Sequence, residues 1–362
     1  MRGQGNVGGT DGVLGIPVTA NHEYWDVLPA MNANWEVADN FLIRFAASQT
    51  MSRPQLASLT PGTTSFASGL NAAGAAPAIT VGNPYLSPFR STNFDLSFER
   101  YFGRSGLIGV TLFHKELASF PQQIAGEAPL STVFEPEIYE QLLASMTSPT
   151  LRAYTEAGGV WAIRQFQDAP GGTIKGIEVN LQSDFGFISP ALENFGVTAN
   201  YTHISSTLNY LTGTVLSTRQ GQTGSTAQNQ FAEGPFLNTS PDAFNATVYY
   251  EDDRFSARVS SAYRKRYVNR FPLASGTCAV GITTNAGAAC NSPVIADFGY
   301  TEDTLNVDFA SSFNLTDWIR LTFEARNLLN ETTHRTMYQA NPVTQTYQST
   351  GRVFTAGARV TF

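Results

Sequence analysis

Runs of about ten residues in which every second side chain is apolar recur along this chain, and a period of two means extended strand. In "NFLIRFAAS", Phe41, Ile43, Phe45 and Ala47 share one face, while Leu42, Arg44, Ala46 and Ser48 share the other. "NFDLSFE" sets Phe94, Leu96 and Phe98 against Asn93, Asp95, Ser97 and Glu99. "IRLTFEAR" sets Ile319, Leu321, Phe323 and Ala325 against Arg320, Thr322, Glu324 and Arg326. The rhythm returns in "TLNVDFASSFN", "IEVNLQSDFGF", "FGVTANYTH", "AFNATVYY" and "FSARVSSAYRKR", and it closes the chain in "VFTAGARVTF". Only Leu107 to Lys115 is ambiguous in phase. The count is about eleven strands, long for soluble sheets, whose usual length is roughly 5–6 residues, and suited to crossing a bilayer at a tilt. The sequence predicts an all-β fold, an antiparallel transmembrane β-barrel wall.

Connections of two kinds alternate along the chain. Short turns fall at Ala38 to Asn40, Gly103 to Gly106, Ser189 to Asn194, Asp252 to Arg254 and Leu315 to Trp318. Between them come long excursions: Arg53 to Arg90, Ala125 to Gly172, Leu211 to Ser240, Pro272 to Glu302 and Thr333 to Ser349. Outer-membrane barrels show this asymmetry, with short turns on the periplasmic side and long loops outside. Aromatic residues gather beside the short turns, among them Trp35, Phe41, Phe195, Tyr250, Phe255 and Trp318, where an interfacial girdle would place them. Within the second excursion, "EPEIYEQLLASM" spaces Ile138, Leu142, Leu143 and Met146 as on a helix that starts at Pro136. It is expected to pack against its own loop, with a cover over the pore mouth as the other reading.

Composition suits strands and loops better than helices. Charged residues are 14% of the chain, below the roughly 25% of soluble domains, and aromatics reach 12%. No apolar run approaches the roughly 18 residues of a membrane-spanning helix. A net charge of -7 excludes nucleic acid as the expected partner, since phosphate binding needs clustered Lys and Arg, and the tightest basic cluster is "YRKRYVNR". The four histidines, His22, His114, His203 and His334, have no metal-ligand spacing, and no phosphate loop, nucleophile elbow or metalloprotease motif is present. No enzyme, metal or cofactor is expected. Cys278 and Cys290 share one Gly/Ala/Thr-rich stretch at a spacing that permits a disulfide, two free thiols being the alternative.

The last strand runs from a long loop to the chain end, so Phe362 falls on the short-turn side. An odd strand count then puts Met1 on the other side, against the even-strand rule of single-chain bacterial barrels. The N-terminus also has no signal-peptide pattern. The expectation is a truncated chain, with 1–23 the remnant of an extracellular loop and 24–362 the C-terminal portion of a barrel.

Taken in order, "LPAMNANWEVADNFLIRFAASQTMSRPQL", "STNFDLSFERYFGRSGLIGVTLFHKEL", "GGTIKGIEVNLQSDF", "PFLNTSPDAFNATVYYEDDRFSARVSSAYRKRYV" and "IRLTFEARNLLNETTH", with a terminal Phe, resemble the C-terminal half of a TonB-dependent outer-membrane receptor. Such barrels have 22 strands and a plug in the lumen, so the resemblance implies that about half a barrel is present. "GARVTF" is similar to the family's C-terminal assembly signal in Gly357, Val360 and the last-residue aromatic Phe362, although Ala356 stands where a polar residue is usual. That signal implies the barrel assembly machinery as a partner and the bacterial outer membrane, with its lipid, as the location. The resemblance also implies active transport, with the TonB complex acting through a plug that these residues do not contain, and a passive porin-like channel is the alternative. Candidate ligand contacts are the cluster Arg264, Arg266 and Arg270, with Trp161, Tyr338 and Tyr347 in loops. Rings and hydrogen-bonding side chains suit an oligosaccharide, and a siderophore is the other small-molecule ligand expected.

Overall fold

The computed structural model describes residues 2–4, 17–60, 63–67, 77–213, 230–273 and 297–361. Within them, eleven strands join edge to edge in sequence order: β1 Ala30–Ala38, β2 Phe41–Ser52, β3 Phe89–Phe102, β4 Gly106–Pro129, β5 Val160–Asp184, β6 Phe195–Gly213, β7 Asp242–Glu251, β8 Phe255–Arg264, β9 Thr304–Thr316, β10 Ile319–Arg326 and β11 Val353–Val360. Every neighbouring pair along this path is antiparallel. The expected count and direction are both observed. The terminal strands β1 and β11 are not paired with each other, so the sheet is open.

The short turns have local causes. Asn40 and Gly103 take positive φ, 60° and 59°, which a tight reversal needs and which Asn and Gly accept at low cost. Asp252 closes its turn by accepting from Arg254 N at 2.8 Å and Phe255 N at 2.7 Å.

Register then carries each face across the sheet, because residues directly opposed in an antiparallel pair point the same way. Val248 lies opposite Val197 and Val259, Val259 opposite Phe309, Phe309 opposite Ala325, and Ala325 opposite Phe354. One residue over, Thr247 lies opposite Thr198 and Ser260, and Ser260 opposite Asp308. The ambiguous stretch is resolved by the same logic: Leu96 and Ile177 fix Leu112 on the apolar face, and Glu178 fixes Thr111 on the polar one. The polar face holds ion pairs, such as Arg44 with Glu99 at 2.8 Å and Arg326 with Glu324 at 2.9 Å. The apolar face is uncovered: Val248 is 51% exposed and Phe354 61%. A soluble sandwich would bury this face against a second sheet, and none does so among the described residues. Hydrocarbon is the medium that matches an apolar surface of this extent. The aromatics near the short turns divide between the faces, however, since Tyr249 lies opposite Gly196 and Arg258 on the polar side.

Among the described residues, packed cores occur only at the long-loop end, and here the expected excursions are corrected. Ala125 to Gly172 is not one loop. β4 and β5 stay paired up to Pro129 and Val160, and three helices connect them: α1 Leu130–Val133, α2 Pro136–Ser145 and α3 Pro149–Glu156. The stretch expected as one long excursion is mostly helix and strand, its backbone satisfied by hairpin pairing and by the helices' own bonds. α2 and α3 each start with Pro in the first turn, and Ser148 caps α3 by accepting from Leu151 N at 3.3 Å. Leu130, Val133, Leu142, Leu143, Leu151 and Ile163 bury their side chains in one core, each worth about 1.5–3 kcal/mol. The helix expected from Pro136 onward therefore packs on its own hairpin. A strand at Ala78–Val81, running parallel to 162–165, closes this outer lobe with Ile79 and Val81.

A second outer element is a four-stranded sheet of Tyr267–Arg270, Gly299–Thr301, Thr332–Met337 and Val343–Ser349, in that order. These segments continue β8, β9, β10 and β11 beyond a break common to all four. Asn327, Asn330 and Gly351 take positive φ in that break.

Candidate ligand-binding cavity

Where the outer lobe meets the outer sheet, a cavity of about 450 Å³ is lined by Gln122, Gln123, Arg164, Asn269 and Arg270, and by the apolar Ile124, Leu237, Phe271, Pro272 and Leu273. Its walls come from β4, from β5 and from the outer continuation of β8. Gln122 is fixed by two hydrogen bonds with the Leu211 backbone: its Nε2 donates to the Leu211 carbonyl at 2.8 Å, and its Oε1 accepts from Leu211 N at 3.0 Å. Asn269 donates to Thr301 Oγ1 at 3.0 Å. Arg164 and Arg270 are exposed and make no ion pair among the described residues.

An aromatic chain supports the wall. Phe120 meets Tyr210 edge-on at 5.4 Å, Tyr210 meets Phe271 edge-on at 5.2 Å, and Phe271 stacks on Phe298 at 4.5 Å. Such pairs are worth about 0.5–1.5 kcal/mol each beyond their area. Tyr210 donates its hydroxyl to the Pro235 carbonyl at 2.7 Å, and burial pushes its pKa up to about 12. Burial also raises the Tyr300 hydroxyl.

The sequence-predicted contacts are dispersed. Arg270 lines the cavity. Arg264 donates to the Asn238 carbonyl at 3.0 Å and lies over the Tyr267 ring at 4.3 Å. Arg266 lies over the Tyr300 ring at 3.7 Å, with its Nε 3.3 Å from Glu302 Oε2; both of its interactions are internal. Trp161, expected to face a ligand from a loop, is instead completely buried in the outer-lobe core and braces the fold. Tyr338 sits at positive φ, and Tyr347 is 66% exposed on the outer sheet, near His334 at 6.1 Å between ring centres. Neither lines the cavity. Gly357 lies opposite Thr322 on the polar face and Val360 opposite Ile319 on the apolar face. Phe362 and the pair Cys278 and Cys290 lie outside the described residues.

Sequence reasoning missed Arg164, Gln122, Gln123 and Asn269. The only signal for Arg164 was the alternation in "VWAIRQFQDA", which puts it opposite in phase to Trp161, Ile163 and Gln165. Among the described residues no group of His, Cys, Asp and Glu forms a metal site. The cavity thus offers two guanidinium forks, carboxamides and an apolar wall, chemistry suited to a planar or anionic small molecule.

Comparisons with known proteins agree with the architecture. No protein of curated function matches the sequence. Among solved structures, the chain is similar to the siderophore receptor PirA from Acinetobacter baumannii, at 18% identity and a TM-score of 0.58, over 92% of this chain and 41% of that one. It is also similar to a mutant of the ferric enterobactin receptor PfeA from Pseudomonas aeruginosa, at 14% identity and a TM-score of 0.55, over 92% and 40%. Another mutant of that receptor was solved in complex with enterobactin. The chain spans about two fifths of the length of these receptors, and likeness at this identity concerns the fold. The family described as TonB dependent receptor-like, beta-barrel, matches residues 2–328. This chain, with its ordered wall of two-faced strands and its tall outer hairpins, belongs to the TonB-dependent receptor family and forms part of the β-barrel.

Proposed function

We propose that the chain is part of the wall of an energy-coupled transporter in the bacterial outer membrane, and that its ligand is an anionic, siderophore-like chelate held between Arg164 and Arg270. One observation carries the reading: two guanidinium groups without ion-pair partners share a cavity with the carboxamides of Gln122, Gln123 and Asn269 and with the Phe271 wall. Unpaired arginines in a partly enclosed site favour carboxylate or catecholate oxygens, which they grip through paired N–H donors. Family membership supports transport, and the siderophore receptors with the same fold support the ligand class. Energy would reach the site through TonB and a plug, and Gly357, Val360 and Phe362 would address the strand to the barrel assembly machinery.

The test is equilibrium binding of ferric enterobactin to the detergent-solubilised protein, followed by tryptophan fluorescence. Arg164→Ala and Arg270→Ala are each expected to weaken binding about tenfold, the weight of one lost charge-assisted contact. Binding of a neutral maltooligosaccharide in preference to the chelate would replace the siderophore reading with the carbohydrate one. Uptake that persists after collapse of the proton-motive force would favour a passive pore.

A further inference from the structure

A further cavity, of about 540 Å³, lies at the opposite end of the sheet, among the short turns. Its walls include Arg254, Asn314, Trp318, Arg320 and Arg359, with Asp253 and Asp317 from the turns. Arg320 and Arg359 are directly opposed on β10 and β11, which sets their Cβ atoms about 4.5–5.5 Å apart. They stand two residues from the opposed pair Thr322 and Gly357 and so share the polar face. Like charges placed in this way destabilise a strand pair, and an anion held between them removes that cost.

The surroundings hold the pair in place without neutralising it. Arg320 Nε donates to the uncharged Asn314 Oδ1 at 2.8 Å. Asn314 donates its backbone N to the Arg254 carbonyl at 2.8 Å and its Nδ2 to the Asp253 carbonyl at 3.0 Å, which docks that turn and its guanidinium on β9. Thr361 N donates to the Trp318 carbonyl at 2.9 Å and ties the end of the last strand to the other turn. Neither the three arginines nor Asp253 and Asp317 make an ion pair among the described residues. Both carboxylates belong to the turns, so the charges that the strands themselves bring to this cavity are all positive.

We propose that Arg320 and Arg359, with Arg254, form a second anion site at the short-turn end of the wall, a station for the chelate on its way out of the barrel. Opposed guanidinium forks present several N–H donors to one cluster of carboxylate or catecholate oxygens. The inference rests on the reading that an anionic chelate passes along the polar face. The site shares no residue with the cavity of Arg164 and Arg270, so either can fail without the other.

Trp318 lines the site and can report on it. Ferric enterobactin, a chelate of net negative charge, is titrated into the detergent-solubilised protein, and the quenching that disappears in Trp318→Phe is the signal of this site. The signal is expected to saturate and to persist in Arg164→Ala/Arg270→Ala. Arg320→Gln/Arg359→Gln is expected to raise its midpoint about tenfold, and Arg254→Gln, outside the strand pairing, should raise it too. A Trp318 signal that does not saturate in the wild type overturns the proposal without any charge variant. Loss of the signal in Arg164→Ala/Arg270→Ala, or an unchanged midpoint in Arg320→Gln/Arg359→Gln, overturns it as well. A saturating signal alongside total binding that Arg164→Ala and Arg270→Ala leave unchanged would remove the ligand role of the outer cavity and keep this site.

Discussion

Tyr210 shows how much a single side chain does at the long-loop end. Its ring bridges Phe120 and Phe271, and its hydroxyl satisfies the Pro235 carbonyl. In the unfolded chain the group ionises near its ordinary value of about 10, whereas in the fold burial raises it to about 12. Below the lower value it is neutral in both states, and the packing stabilises the fold in full. As pH rises from there to about 12 the unfolded chain sheds its proton first, so stability falls across that window. Near-ultraviolet circular dichroism of the aromatic chain, followed from pH 9 to 12, should lose intensity in the wild type, and Tyr210→Phe should shrink the Tyr210-dependent part of that loss. An unchanged alkaline profile in Tyr210→Phe would mean that this ring does not control the wall of the cavity.

At the scale of elements, the hairpin of β4 and β5 and the three helices on it form one packed unit above the sheet. Trp161 is its largest fully buried side chain. Trp161→Ala leaves a cavity that the surrounding Leu and Val side chains fill only in part, at a cost of about 3–5 kcal/mol. Because the core is confined to the lobe, the loss should appear as local opening. Hydrogen exchange is expected to accelerate in 130–165 while the amides of β7 to β11 keep their protection; uniform acceleration would show that lobe and wall unfold together. This element was legible in part. Pro136 and the spacing of Leu142, Leu143 and Met146 marked one helix, but its flanks fell inside one expected excursion from Ala125 to Gly172. Hairpin pairing makes strands of those flanks, and no short window of sequence reports a partner on the other arm.

On the scale of the whole molecule, two solvents act on one sheet. Val248 belongs to the apolar row and Thr247 to the polar one. Val248→Arg places a charge near the middle of the apolar band, where the cost is about 2–4 kcal/mol, while Thr247→Arg adds a charge to a face that already carries Arg258 and Glu324. Urea unfolding in lipid vesicles should separate the two variants by that amount. Equal stability would mean that the apolar face does not meet hydrocarbon.

The period of two, the alternation of short and long connections and the shortage of charge were enough, from the sequence alone, to set the strand number, the two faces and the fold class. All three are local, since every strand but the stretch from Leu107 to Lys115, whose faces its neighbours fix, declares its faces from its own residues. The site was not legible in this way. Arg164 and Arg270 come together because β5 and the outer continuation of β8 reach the same height above the sheet, and Trp161 turns inward because helices fold back over its strand. Both outcomes depend on register and on packing between segments far apart in the chain, and only the tertiary structure contains these.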